Sequence, residues 1–85
     1  MDMTEGARDL LRSLERPKDR VLRLELVGQR FRFVFGLPRD DDDVLTDREM
    51  DLLHVSPRVS RALQGTILDR DDTAEGPGIA LRRPA

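Results

Sequence analysis

Residues 51–56 hold an acid, a base and a hydroxyl close together, namely Asp51, His54 and Ser56. Nucleophilic catalysis by such groups needs them to converge in a pocket that excludes water. The chain has one histidine and no cysteine, tyrosine, tryptophan or glycine-rich phosphate loop, and its 85 residues can barely enclose a pocket. We therefore expect no enzymatic activity and no small-molecule substrate. We assign His54 to the end of a helix, beside carbonyl groups or the acidic turn.

Two aspartate-rich segments could bind a cation, but neither has the spacing of a calcium loop. Residues 40–43 lack the turn glycine, and the segment 69–74 has Ala74 where that glycine belongs, with no acidic residue at the twelfth position. We interpret both segments as solvated loops. The sequence predicts no metal site and no cofactor.

Charge is nearly balanced overall, at −2, but it is unevenly distributed. Residues 21–39 contain one acidic and four basic residues, whereas residues 40–56 contain seven acidic and one basic residue. The aspartate loop either folds back onto the arginines of the preceding segment or forms an acidic patch for a basic partner. The predicted interaction surface comprises Arg23, Glu25, Arg30, Arg32, Asp40, Asp41, Asp42 and Asp43.

The element with the clearest pattern is a β-hairpin over residues 22–35. Leucines and phenylalanines alternate with polar residues on either side of Gly28-Gln29, which suits a two-residue II′ turn. Such a turn predicts the pairs Val27 with Arg30, Leu26 with Phe31, Glu25 with Arg32, and Leu24 with Phe33. All three aromatic residues then lie on one apolar face. They are thereby unavailable for stacking on nucleic-acid bases.

Helices are expected on both sides of the hairpin. An amphipathic helix over residues 3–16, with Asp2 as a cap, follows the 3.6-residue period and is the natural cover for the apolar face. Thr46 and Glu49 form a capping box for a short second helix, and Ser56 and Pro57 begin a third, with Val59, Ala62 and Leu63 inward. Beyond Gly65, residues 66–68 and 79–81 are compatible with two short strands, and residues 70–85 also with a flexible tail.

The segment from Leu45 to Gly65 resembles a helix-turn-helix. Within it, Val55-Ser56-Pro57 followed by the residues from Val59 to Gly65 is similar to the turn and recognition helix of lac-repressor-type regulators. The order of elements along the chain also matches a winged helix. Regulators of this kind contact base edges from the second helix. The resemblance therefore implies that DNA would be contacted by Arg58, Ser60, Arg61 and Gln64.

Together these patterns predict one small α+β domain over residues 1–85, built from an N-terminal helix, a Leu/Phe-faced hairpin, two short helices and a C-terminal hairpin. No apolar run or N-terminal pattern indicates a membrane span or a signal peptide, so we expect a cytoplasmic protein, and the arginine-rich composition is typical of high-GC bacterial or phage genomes. A hairpin has two unpaired strand edges, which another chain can extend. We expect an accessory or regulatory protein that acts through protein contacts, as a homodimer or a bound subunit. The alternative is a helix-turn-helix or winged-helix DNA-binding regulator.

Overall fold

The computed structural model describes residues 1–83, which form two helices and seven strands. The predicted α+β class is confirmed. The chain divides into a central unit, residues 15–62, and a terminal unit, residues 1–14 together with the chain from Leu63 onward. No helix within residues 1–83 is both long and apolar enough to cross a membrane.

Each unit contains one sheet and one helix. The terminal unit consists of β1 (Asp2–Met3), α1 (Glu5–Ser13), β6 (Ile67–Arg70) and β7 (Ile79–Arg82), with its strands in the order β1-β6-β7. The central unit consists of β2 (Val21–Val27), β3 (Arg30–Gly36), β4 (Asp43–Asp47), β5 (Met50–Val55) and α2 (Pro57–Ala62), with its strands in the order β3-β2-β5-β4.

The hairpin of β2 and β3 forms in the predicted register. Val27 pairs with Arg30, Leu24 with Phe33, and the ladder runs without a shift to the last pair, Val21 with Gly36. Gly28 has a φ of 63°, and a II′ turn requires a positive φ at its first position. The prediction is confirmed because the turn and the period-2 alternation specify the same register.

One edge of this hairpin is closed by β5, which lies parallel to β2. Leu24 of β2 pairs with Val55 of β5, so both side chains lie on the face that also bears Leu22 and Leu53, and all four are buried. The helix α2 packs against β2. These leucine and valine side chains form the core of the central unit.

The helix predicted from Thr46 is wrong, because residues 43–55 form a second hairpin, β4 and β5. Its two-residue turn is Arg48-Glu49, and both residues have positive φ, 51° and 67°. This conformation is typical of a I′ turn, in which glycine and asparagine are preferred. All four residues of 52–55 are buried. A strand covered on both faces has a continuous apolar sequence that local periodicity cannot distinguish from a buried helix.

The short helix α2 begins as predicted. The hydroxyl of Ser56 accepts a hydrogen bond from the backbone N–H of Val59 at 3.4 Å, and Pro57 occupies the first helical position. Val59 and Leu63 are buried, as predicted, but Ala62 is exposed. The exposed surface of α2 is therefore wider than the sequence pattern indicated.

In the terminal unit the first helix is shorter than predicted, and Thr4 rather than Asp2 is its cap. The Thr4 hydroxyl accepts a hydrogen bond from the N–H of Ala7 at 3.3 Å and donates one to Asp69 of β6 at 2.8 Å. Asp2 and Met3 instead form β1, parallel to β6. The helix α1 packs against β6, with Ala7 and Leu11 buried.

The predicted pair of C-terminal strands is confirmed, since β6 and β7 pair antiparallel over four residues each. Both strands lie within the segments where the sequence indicated them, apart from one or two residues at their ends. The alternative, a flexible tail over residues 70–85, includes Pro84 and Ala85, which lie outside the described residues.

Candidate functional site

The second face of the central sheet has a buried ion pair at its centre, between Arg23 of β2 and Asp42. Two hydrogen bonds join them, from Nη1 to Oδ2 at 2.5 Å and from Nη2 to Oδ1 at 2.8 Å. The side chains are only 3% and 1% exposed. The bonds donated by Arg23 hold the pKa of the Asp42 carboxyl well below its usual range, against the opposing effect of burial. In turn, the bonded carboxylate raises the pKa of Arg23 above its ordinary value. Both groups are therefore charged at neutral pH.

This ion pair fixes the loop 37–42 over one face of the central sheet. Nη1 of Arg23 also donates to the carbonyl of Leu37 at 3.2 Å, at the start of the loop. Near the loop's end, the backbone N–H of Arg39 donates to Oδ2 of Asp42 at 2.8 Å. Of the two interpretations of the aspartate loop that the sequence left open, folding back onto the arginines is confirmed for Asp42 and Arg23.

Glu25 and His54 complete the network around Arg23. Nε of Arg23 donates to Oε1 of Glu25 at 2.6 Å, so each nitrogen of the guanidinium has a partner. His54 lies beside Arg23 because β2 and β5 pair in that register, and its Nδ1 is 3.3 Å from Oδ2 of Asp42. A carboxylate only accepts hydrogen bonds, so Nδ1 is the donor in this contact.

The assignment of His54 to the end of a helix is wrong, because His54 lies within the strand β5. Its carboxylate partner is Asp42, whereas Oδ2 of Asp51 is 3.9 Å from Nε2. Ser56 caps α2. Nε2 is buried and has no hydrogen-bond partner among residues 1–83. The imidazole is oriented, but within the described part of the chain no hydroxyl is hydrogen-bonded to it.

A cleft of about 390 Å³ opens where β5 ends and α2 begins. Three arginines line it: Arg39 from the loop, and Arg58 and Arg61 from α2. Nε of Arg61 donates to the carbonyl of Pro57 at 3.4 Å, while the guanidinium groups of Arg39 and Arg58 make no ion pair within residues 1–83. The cleft wall is completed by Glu25, Leu26, Asp41, Ser56, Pro57 and Val59.

The residues that the helix-turn-helix resemblance assigned to DNA are only partly brought together. Arg58 and Arg61 share the cleft, whereas Ser60 is half-buried outside its lining and Gln64 follows the end of α2. The resemblance implied two successive helices, but a strand hairpin precedes α2. Arg39 was not predicted, because nothing in the local sequence indicates that the loop bends toward α2.

The predicted interaction surface divides into buried and exposed residues. Arg23 and Asp42 are unavailable at the surface because their side chains pair with each other in the interior, which corrects that part of the prediction. Glu25 is half-buried in the cleft wall. The others are exposed, namely Arg30, Arg32, Asp40, Asp41 and Asp43.

The strand β3 is an edge strand of the central sheet, and its ladder with β2 has no register shift. Val27 and Arg30 flank the two-residue turn and form a hydrogen-bonded pair, and hydrogen-bonded and non-hydrogen-bonded pairs then alternate along an antiparallel ladder. Phe31, Phe33 and Phe35 therefore belong to the non-hydrogen-bonded pairs. Their N–H and C=O groups point away from β2, toward a side on which β3 has no neighbouring strand among the described residues.

No protein-family model matches this chain, and no curated protein is similar to it at a significant level.

Proposed function

We propose that this is a non-enzymatic accessory or regulatory protein that acts through protein contacts, and that it binds its partner by adding a strand at the outer edge of β3. The main support for strand addition is the backbone of β3. The edge of β3 presents three residues, Phe31, Phe33 and Phe35, whose outward N–H and C=O groups match the spacing of an antiparallel partner strand.

The other sheet edges are shorter or less regular than the edge of β3. The ladder of β4 shifts register between Leu45 and Thr46, and this strand begins and ends with aspartates. In the terminal sheet, β1 has two residues and β7 has four. Bulges, charge and short length are the usual protection of an edge strand. The strand β3 bears the exposed Arg30 and Arg32, but it has seven residues and an unbroken register.

Side chains along β3 also favour an added strand. Phe35 is 41% exposed, and Phe31 and Phe33 are half-buried, so the apolar face continues to the edge of the sheet. A partner strand with apolar residues at alternate positions would extend this face. No proline interrupts residues 30–36.

The test uses photo-crosslinking in the native host, with a benzophenone amino acid at Val34 of β3 or at Val44 of β4. These two sites are equally exposed, at 37% and 38%. We expect a discrete adduct from position 34, mapped by mass spectrometry to an extended segment of the partner. Phe35→Pro removes one outward N–H at a site where an edge strand tolerates proline, and it should abolish the adduct.

Phe35→Ala is the matched control, because it removes the same ring and keeps the N–H. We expect the adduct from position 34 to persist in this variant, weakened only by the loss of one aromatic contact. Equal adducts from positions 34 and 44, or an adduct that survives Phe35→Pro, would contradict strand addition at β3.

A second candidate, duplex DNA binding, is favoured by Arg58, whose guanidinium makes no ion pair within residues 1–83 and which lines the cleft together with Arg39 and Arg61. Phosphate contacts of this kind weaken steeply with salt. The test is fluorescence anisotropy with genomic duplex fragments at low salt, and binding should collapse on Arg58→Glu with Arg61→Glu. Arg30→Glu, on the exposed end of β3, is the control for a single reversal of charge elsewhere. Absence of binding at low salt removes this candidate.

A further inference from the structure

We propose that the strand added to β3 is β3 of a second copy of this chain, paired antiparallel about a two-fold axis at Phe33. This inference rests on the proposed strand addition and names its partner. The result would be one continuous eight-stranded sheet, because each copy contributes the four strands β3-β2-β5-β4.

The backbone of β3 has one antiparallel register that satisfies every outward group. With the axis at Phe33, Phe33 of the two copies exchange two hydrogen bonds, and Phe31 of each copy exchanges two with Phe35 of the other. The outward groups of Phe31, Phe33 and Phe35 are then all paired, which makes about six bonds across the interface. A two-fold axis at Arg32 or Val34 would allow only about four hydrogen bonds across the interface. A shift of the register by an odd number of residues would place the outward-pointing backbone groups of one copy opposite groups of the other copy that point toward its β2.

The apolar side chains are complementary in the same register. Phe31 of one copy lies opposite Phe35 of the other, and the two Phe33 side chains meet at the axis. The three rings of each copy thus join into one aromatic row across the interface. Cross-strand aromatic pairs of this kind are among the favourable pairs in antiparallel sheets. The partly exposed ring of Phe35 gains an additional apolar neighbour in this way.

Charge on the opposite face disfavours the register centred on Arg32. With the axis at Phe33, Arg32 lies opposite Val34 of the second copy and Arg30 lies opposite Gly36, so no arginine is directly opposite another. Centring the pairing on Arg32 instead brings the two Arg32 guanidinium groups directly opposite each other, which is unfavourable. Both arginines are exposed, and neither makes an ion pair within residues 1–83 that could neutralise it.

The absence of cysteine from the chain makes the register directly measurable by disulfide formation. Arg32 and Val34 of opposite copies would form a non-hydrogen-bonded pair, with Cα atoms about 4.5 Å apart, which suits a disulfide. The full-length variants Arg32→Cys and Val34→Cys are prepared separately and oxidised in a glutathione buffer, alone and as an equal mixture. Val44→Cys mixed with Arg32→Cys is the control for random collision.

We expect a covalent dimer, at twice the mass of the chain, from the mixture of Arg32→Cys and Val34→Cys, with each variant alone and the Val44→Cys mixture remaining largely monomeric. Circular dichroism of each reduced variant verifies folding. A dimer from Arg32→Cys alone or from Val34→Cys alone would overturn the register, because it places the axis at that residue. Equal yields from every combination would overturn the pairing of β3 with itself.

Failure of this inference is separable from failure of strand addition. If sedimentation velocity finds only monomer up to millimolar concentration, and the host adduct from position 34 contains another protein, then the second copy is the wrong partner and strand addition stands. If the adduct is also absent or insensitive to Phe35→Pro, both proposals fail.

Discussion

Arg23 and Asp42 form a bidentate ion pair in which both side chains are almost completely buried. The pair joins β2 to a loop that leaves β3 and leads into β4, so it ties the two hairpins of the central unit together. Burying two charges is costly in itself, and such a pair is stabilising only relative to the state in which one partner is missing. The main effect of the ion pair is therefore to fix the position of the loop, and its net contribution to the free energy of unfolding is smaller.

Asp42→Asn is expected to destabilise the protein strongly, because it leaves the guanidinium of Arg23 buried with one fewer negative charge. Removing one partner of a buried pair costs about 3 to 5 kcal/mol, and we expect a value near the lower end since Glu25 still accepts from Nε. The measurement is urea denaturation at neutral pH. Asp41→Asn is the control, because Asp41 is exposed and its replacement should change the free energy of unfolding by no more than about 0.5 kcal/mol. Similar values for the two variants would contradict the structural role of the pair.

The same pair predicts a loss of stability in acid. The pKa of Asp42 is lower in the folded protein than in the unfolded chain, where it is about 3.9, so the unfolded chain binds more protons below that pH. The stabilising contribution is complete above about pH 5 and declines as the pH falls through about 4 toward the folded-state pKa. Urea denaturation at several values between about pH 2.5 and about pH 6 compares the wild type with Asp42→Asn. The difference between them should shrink toward acid; a constant difference would mean that Asp42 does not ionise differently on folding.

The turn of the second hairpin offers a stabilising substitution. Arg48 and Glu49 both have positive φ, a conformation that costs a residue with a side chain about 1 kcal/mol or more relative to glycine. Replacing the pair by Asn-Gly should raise the free energy of unfolding by roughly 1 kcal/mol, because this dipeptide suits a I′ turn. Thermal denaturation checks it. The reverse control is Gly28→Ala, which adds a side chain at a φ of 63° and should destabilise by a similar amount. A loss of stability with Asn-Gly would imply that residues 48–49 do not form this turn.

The features of the fold that could be predicted from the sequence are those specified by residues close together in the chain. The register of β2 and β3 was predictable because Gly28 and the alternating leucines and phenylalanines agree. The second hairpin was not, since the run ending at Val55 is buried on both faces and the turn Arg48-Glu49 lacks glycine or asparagine. The choice of Asp42 among four consecutive aspartates, and its contact with His54, depend on the parallel pairing of β2 with β5. That pairing has no local signature in the chain.

Charge substitutions at Val34 test the symmetric pairing of β3 without covalent trapping. In that register a lysine introduced at position 34 would face Arg32 of the second copy at two places, so Val34→Lys should weaken dimerisation by roughly 2- to 30-fold, and Val34→Glu should strengthen it by a similar factor. Combining Val34→Lys with Arg32→Glu turns both like-charge contacts into opposite-charge contacts and should restore the affinity. Sedimentation equilibrium gives the dissociation constants.

Val44→Lys is the matched control for these substitutions, because it adds the same charge at an equally exposed site on the opposite edge strand. Val34 also pairs with Arg23 within one chain, so urea denaturation of each variant separates a loss of folding from a loss of association. If Val34→Lys and Val34→Glu shift the dissociation constant in the same direction, Arg32 does not lie opposite residue 34. The edge of β3 would then pair in another register or with another strand.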